Sequence, residues 1–343
     1  MQYVPLGRTG VRVSELCFGT MSFGGDADEK TSRDLFHACL DAGINFFDTA
    51  DVYSAGQSEE ILGRLVGGMR HELVIATKAH FPTGPDVNAR GLSRRHLRLA
   101  LEASLKRLRM DFVDVYYAHG FDPHTPMEET LGACADLVRQ GKALYIGVSN
   151  WAAWQVARAL GLAEAGALQA IHVIQPMYNL VKRQAEVELL PMAQASGLGA
   201  VTYSPLGGGL LSGKYSAAAP AASGRLIDNQ MYALRYAPRH YREVADRFVR
   251  HAQDRGLHPA SLAVAWVRSH PAVTAAILGA RDVEQLRPAL EAVRVRMTPE
   301  WRAEIARMSP EPPPATDRLE EQSGFVYGST GQDAPRREDS SRL

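Results

Sequence analysis

Short apolar runs alternate along the chain with longer stretches whose apolar residues recur every three to four positions. That alternation of strand and helix signals is the pattern of a parallel sheet. Eight runs read as strands: Leu16–Gly19, Asn45–Asp48, Leu73–Lys78, Phe112–His119, Ala143–Val148, Ala170–Gln175, Ala200–Tyr203 and Val273–Gly279. Most of their ends fall about thirty to forty residues apart, close to one strand–helix unit each. Helix signals occupy the intervals. Ser93 precedes the series Leu97, Leu101, Leu105 and Leu108. Thr125, Pro126 and Glu128 read as an N-cap, a proline at the first helical position and a capping-box glutamate. Gly43, Gly141 and Gly197 stand where helices stop, and Thr298-Pro299-Glu300 opens a further helix. Eight such units predict an α/β fold, a closed (β/α)8 or TIM barrel.

Two stretches break the rhythm. The interval from Tyr203 to Gly279 is much longer than the rest and holds Gly207-Gly208-Gly209, an Ala/Ser/Pro/Gly-rich run at Ser216–Gly224 and a helix pair ending near Arg268. It reads as a long loop over the barrel mouth after the seventh strand. Within it Leu226–His240, with Met231, Tyr232 and Tyr236, reads as a lid or a subunit contact. The last stretch, Pro310–Leu343, is rich in proline, charge and small polar residues and lacks the apolar content to fold alone. The expected division is a barrel over residues 1–309 and an irregular or disordered tail over 310–343, with Phe325, Val326 and Tyr327 as the tail's apolar cluster.

Composition narrows the partners. The 343 residues are 45% hydrophobic, as a globular fold requires, and carry 38 Lys plus Arg against 38 Asp plus Glu. No global field favours nucleic acid, a membrane surface or a polyacid, so an anion site has to be a local cluster. Cys17, Cys39 and Cys134 sit in apolar segments without a C-x-x-C pair, which reads as buried, reduced thiols. The N-terminal MQYVPLGRTG has no signal-peptide pattern, and no apolar run approaches the ~18 residues of a spanning helix. The expected location is cytoplasmic. Oligomeric state is open.

In a barrel, polar residues at the carboxyl ends of strands point into the active-site mouth. Those positions hold Asp48, Lys78, His119, Ser149 with Asn150, Gln175 and Tyr203. Singly, each has a bland reading: Lys78 as a solvated strand end, His119 as a packed ring, Tyr203 as core. Their succession along the strands does not. Tyr53 follows Asp48 by five residues, close enough to fold back over the mouth. A phenol with an ordinary pKa near ~10 is a poor acid at neutral pH. An ammonium beside it would lower that value, and a carboxylate would hold the ammonium. Lys78 and Asp48 supply those charges, and His119 supplies a hydrogen bond to a substrate carbonyl.

The segments LGRTGVRVSELCFGTMSFG, GINFFDTADVYSAGQSEEILG, VIATK, DFVDVYYAHGFDP, IGVSN, QPMYNL, YSPLGGGLLSGKY and LGAR together resemble the aldo-keto reductase superfamily, from about Leu6 to Leu290. The FGT, GVSN and SPLGGGLLSGKY forms resemble the branch with bacterial reductases and potassium-channel β subunits. The resemblance implies a catalytic tetrad at Asp48, Tyr53, Lys78 and His119 and an NADP(H) cofactor that delivers hydride to a small-molecule carbonyl. It implies that Ser149, Asn150 and Gln175 hold the nicotinamide carboxamide, that Tyr203 stacks on the ring, and that Gly19 and Thr20 lie near its ribose. Ser204, Pro205, Leu206, Gly207 and Gly209, with Leu211 and Lys214, match the pyrophosphate region. The glycines there also read as a hinge. Gly279, Ala280 and Arg281 match the site of the adenosine 2′-phosphate and Gln285 a further adenosine contact. Ala289 departs from the pattern, since many members carry Asn against the adenine.

Trp151, Phe23, Phe81 and Phe121 read as the apolar part of a substrate pocket or as ordinary packing. Two other functions compete. One is a redox-sensing regulatory subunit that binds NADP(H) and turns over slowly. The other is a metal-dependent barrel hydrolase, for which Asp48 and His119 are too few ligands even with His80 added. No metal is expected.

Overall fold

The computed structural model describes residues 1–166, 168–215 and 222–319. Strands β1 (Tyr3–Pro5) and β2 (Arg12–Ser14) pair antiparallel in a hairpin absent from the expectation above. At three residues each, they are too short to show a period. Leu6 and Val13 of the hairpin are fully buried among the residues that fill the barrel. Gly7 approaches Gly199 so closely that a Cβ on it would stand 2.5 Å from the Gly199 nitrogen. The hairpin therefore plugs the end at which strands begin.

Eight parallel strands follow: β3 (Leu16–Gly19), β4 (Phe46–Asp48), β5 (Val74–Ala79), β6 (Val113–Ala118), β7 (Ala143–Ser149), β8 (Val173–Gln175), β9 (Gly199–Thr202) and β10 (Ala275–Leu278). Each pairs with the next, and β10 also pairs with β3, which closes the barrel. Helices surround it, among them Glu29–Asp41, Gln57–Val66, Arg94–Leu108, Met127–Arg139 and Ala153–Ala165. The expected TIM-barrel architecture is present.

Side chains of a strand alternate between faces, and that period of two decides what the barrel encloses. Cys17, Phe46, Val74, Ala76, Val115, Tyr117, Val173, Val201, Ala275 and Ile277 pack inside. Their neighbours Phe18, Phe47, Ile75, Tyr116, Ile146, Ile174, Ala200 and Ala276 belong to the larger core beneath the helices. Continuing the inward series to the carboxyl ends reaches Gly19, Asp48, Lys78, His119, Ser149, Gln175, Tyr203 and Gly279. Gly147, also inward, leaves room for Tyr117: a Cβ there would lie 2.3 Å from the tyrosine ring.

Local signals mostly act as their chemistry dictates. Ser93 caps its helix by accepting from the His96 nitrogen, and Thr298 accepts from Trp301. Gly43, Gly141 and Gly197 adopt φ of 83°, 70° and 68° after their helices. The expected cap at Thr125 is corrected. Pro126 occupies the N-cap position without a side-chain bond, and the Thr125 hydroxyl donates to Asp122 at 2.7 Å. Asp122 also accepts from the Leu92 and His124 nitrogens, so it competes with the helix for that hydroxyl.

The long interval after β9 holds a turn at Gly207–Ser212, short helices Arg225–Asp228 and Gln230–Arg235, and longer ones at Arg239–Asp254 and Pro259–Arg268. Much of the expected loop is thus helical; residues 216–221 lie outside the described residues. So does the Phe325–Tyr327 cluster, while residues 310–319 contain neither α-helix nor strand.

Candidate active site

The loop leaving β4 is zipped onto β5. Thr49 donates its N–H to the Ala76 carbonyl, and Asp51 donates to the Lys78 carbonyl at 3.1 Å. Tyr53 then turns back, with its N–H on Ala50. Ser54 and Ala55 follow at φ of 48° and 53°, the left-handed region that side chains disfavour. Gly56 completes the reversal at 91° before the helix beginning at Gln57. The Ser58 hydroxyl, bonded to Thr20 and Thr49, anchors this turn to the barrel.

The turn delivers Tyr53 to the barrel mouth. The Lys78 ammonium, fully buried, donates to Asp48, to the Thr49 carbonyl at 2.7 Å and to the Tyr53 hydroxyl at 3.3 Å. The second Asp48 oxygen accepts from Gln175 at 2.8 Å. His119 meets Tyr53 edge to face, centroids 5.8 Å apart, and its Nδ1 is buried without a partner. All four expected members are therefore together.

Their electrostatics follow from burial and from one another. Burial pulls the Lys78 ammonium down, but Asp48 and Tyr53 outweigh it, and its pKa ends above the ordinary lysine value. Burial raises the Tyr53 phenol, and the opposing pull of Lys78 does not cancel the rise. The expected net lowering of Tyr53 is thus corrected: before an oxyanion arrives the hydroxyl stays above its ordinary value, because desolvation exceeds the ammonium's effect. Burial, then Lys78 and His80, hold His119 well below the ordinary histidine value, so its imidazole is neutral at physiological pH.

Beside the four lies a polar chain. Ser149 donates to the Gln175 carbonyl at 3.0 Å. Asn150, at φ 59°, donates to the His119 carbonyl at 2.9 Å and to Ser149, and accepts from the Tyr203 hydroxyl at 2.7 Å. Asn150, Gln175, Tyr203, Trp151 and Met177 line one cavity of about 310 Å³.

Further out, Gly207, Gly208 and Gly209 all take positive φ, 58°, 67° and 97°. Ser204, at φ 58°, accepts from Asn179 through its carbonyl, and Lys214 is exposed nearby in the chain. Nothing stands within 4 Å of where a Cβ on Gly279 would be. Arg281 pairs with Asp26 at 3.0 Å and donates its N–H to Gln285. Pro205, Ala280, Leu211 and Ala289 are buried and Leu206 partly so. Thr20 is fully buried with its hydroxyl on Ser58, and a Cβ on Gly19 would meet Ile277. As placed, Thr20 and Leu211 present no side chain to a ligand.

Among the pocket candidates, Phe81 is partly exposed with its ring 4.9 Å from His119. Phe121 meets Trp151 at 5.2 Å. Phe23 is corrected: it is fully buried against Phe18, because its loop folds inward under the helices. Tyr232 and Tyr236 are buried over Gly208, whereas Met231 is exposed.

Residues not anticipated include Asp26, Asp51, Asn179 and Trp154. Asp51 was legible only as one of four carboxylates in DTADVYSAGQSEE; nothing local marked it as buried. Trp154 extends the aromatic mouth, 6.2 Å from Phe121. No group of three or more His, Cys, Asp or Glu among the described residues is placed to hold a metal ion. No helix among them is long and apolar enough to cross a membrane.

Comparison with known proteins matches residues 15–309 to the model of the aldo/keto reductase family. An uncharacterized oxidoreductase of Bacillus subtilis (strain 168), YrpG, is 41% identical over 316 residues, covering 88% of this chain and 93% of that protein. A probable voltage-gated potassium channel subunit beta of Oryza sativa subsp. japonica is 41% identical over 315 residues, covering 88% and 94%. The corresponding subunit of Arabidopsis thaliana is 40% identical over 308 residues, covering 86% and 92%.

Proposed function

The chain belongs to the aldo/keto reductase family, and on that premise we propose that it binds NADP(H) at the mouth of the barrel and reduces aldehyde or ketone carbonyls to alcohols. One observation carries the chemistry: a buried ammonium, fixed by a carboxylate, touches the hydroxyl of a tyrosine that faces a neutral histidine.

The residues present suit the cofactor. Three consecutive glycines at positive φ leave no side chain between this turn and a pyrophosphate, although the Gly207 and Gly209 N–H groups donate to the Ser204 and Leu206 carbonyls, and the open ground at Gly279 adjoins Arg281. Ser149, Asn150 and Gln175 would hold the carboxamide, Tyr203 would lie against the ring, and Arg281 would meet the 2′-phosphate. When bound, reduced nicotinamide supplies hydride to the carbonyl carbon. Tyr53 gives its proton to the developing alkoxide. Lys78 stabilises the phenolate left behind, Asp48 holds Lys78 and is itself held by Gln175, and His119 orients the carbonyl oxygen. Phe81, Phe121 and Trp151 offer an apolar wall to the substrate. The reacting unit is read as residues 1–309 with 310–343 as a tail, in keeping with the end of the family match.

A second reading shares this site: a redox-sensing regulatory subunit that binds NADP(H) and turns over slowly. The comparisons favour it over rapid turnover, since two of the relatives named above carry the description of potassium channel β subunits and the other is uncharacterized. The two readings differ in rate. Steady-state oxidation of NADPH with a panel of aldehydes, ketones and quinones separates them. Many turnovers per minute support the reductase; slow single turnovers with tight cofactor retention support the sensor. No oxidation and no dinucleotide binding would contradict both.

A further inference from the structure

The carboxylate of Asp26 rests on the guanidinium of Arg281, Oδ2 to Nε at 3.0 Å. The two residues come from different strand-end loops, after β3 and after β10, and those loops are tied together. The Ser22 hydroxyl donates to the Ala280 carbonyl at 2.7 Å. Gly24 donates its N–H to the Ala27 carbonyl and Ala27 donates to Ser22, which fixes the turn that presents Asp26. The helix that follows is capped by Asp28, not by Asp26. Asp26 is therefore free of a local structural duty and aimed at the arginine.

We propose that Asp26 sets cofactor preference by competing with the adenosine 2′-phosphate for Arg281, which lets the site accept a 2′-hydroxyl dinucleotide as well. This rests on the NADP(H) reading above. A 2′-phosphate carries between one and two negative charges at neutral pH, and an Asp26 carboxylate on the same guanidinium repels it. A ribose 2′-hydroxyl behaves oppositely. It donates to a carboxylate, the interaction that acidic residues supply in NAD sites, while arginine serves the phosphate in NADP sites. This chain brings both chemistries to one point. The backbone of Arg281 is held separately from its guanidinium, its backbone N–H donating to Gln285 and its neighbour Asp282 capping the helix Val283–Leu290. The guanidinium can therefore exchange one anion for another without the loop moving. Both side chains are partly exposed, 29% and 48%, so solvent moderates the effect.

Calorimetric binding of NADP⁺ and NAD⁺ to the whole chain, without carbonyl substrate, tests this. In Asp26→Asn, which keeps the shape of the side chain, NADP⁺ binds tighter and NAD⁺ weaker, and the ratio of their dissociation constants shifts about tenfold toward NADP⁺. In Arg281→Ala, NADP⁺ weakens and NAD⁺ does not. A ratio in Asp26→Asn that is unchanged, or that moves toward NAD⁺, overturns the proposal and makes Asp26 a mere support for Arg281. Absence of binding of either dinucleotide to the unaltered protein overturns the NADP(H) reading and this proposal with it.

Discussion

The ammonium of Lys78 reaches the hydroxyl of Tyr53 at 3.3 Å while it is held on Asp48, with no solvent exposure of the lysine. On the proposed mechanism this pair has two jobs, keeping a buried charge compensated and tuning an acid. Lys78→Met separates them. It leaves the Asp48 carboxylate buried beside Gln175 alone, at a cost of about 3–5 kcal/mol in folding stability. It also lowers kcat by about 10²–10⁴-fold through loss of general-acid tuning. Adding Asp48→Asn restores much of the stability, read by chemical denaturation, and none of the rate.

His119 is held below its ordinary value by burial, Lys78 and His80. It therefore stays neutral at the pH where an ordinary histidine titrates, and the ring proton signals of His119 in NMR show no inflection there. A histidine depressed on folding contributes stability fully above its unfolded pKa of about 6.5, and that contribution is lost as pH falls through the folded value. An inflection near 6.5 assigned to His119 contradicts the burial argument.

Asp51 shows the opposite linkage. Burial foremost, then Glu59, raise its carboxyl to about 7, against the pull of Arg107. Both its oxygens are buried without a hydrogen-bond partner. An acid raised on folding stabilises the protein below its unfolded pKa, and that stability fades as pH rises from about 4 to about 7. Asp51→Asn removes the penalty, so the variant is more stable than the parent at pH 8 by on the order of a few kcal/mol and gains nothing at pH 4. Urea denaturation at the two pH values reads the difference. Equal gains at both would point to packing instead of a buried charge.

Gly147 carries a steric prediction. A Cβ there meets the Tyr117 ring at 2.3 Å, and Tyr117 lies one inward layer beneath His119. Gly147→Ala therefore costs about 1–3 kcal/mol by overpacking. The thermal midpoint falls, and the aromatic near-UV signal changes with the ring.

Much of the site was legible because a strand's period of two turns a sequence position into a direction. Lys78, His119, Ser149, Gln175 and Tyr203 each extend an inward apolar series, and that alone places them at the mouth. Tyr53 was legible through its distance from Asp48. Phe23 and Thr20 were not, because loop residues have no period and their burial is decided by which helix lies over them. The hairpin of β1 and β2 escaped for the same lack of a pattern. Thr125 carried a sound cap signal that Asp122, three residues earlier in the same loop, outbid, because Asp122 is itself fixed by the Leu92 and His124 nitrogens. The rise in the Tyr53 pKa follows from burial, a tertiary quantity, while sequence showed only the opposing lysine. The Asp26–Arg281 pair joins residues more than two hundred positions apart, which no local motif encodes.

On the proposed mechanism the Tyr53 hydroxyl provides the proton when hydride reaches a carbonyl. Single-turnover oxidation of bound NADPH by an aldehyde, followed by stopped-flow fluorescence in the parent and in Tyr53→Phe, tests it without depending on product release. In Tyr53→Phe, NADPH binding stays within about twofold of the parent and hydride transfer slows by about 10²–10⁴-fold. Transfer by Tyr53→Phe at close to the parent rate would contradict it.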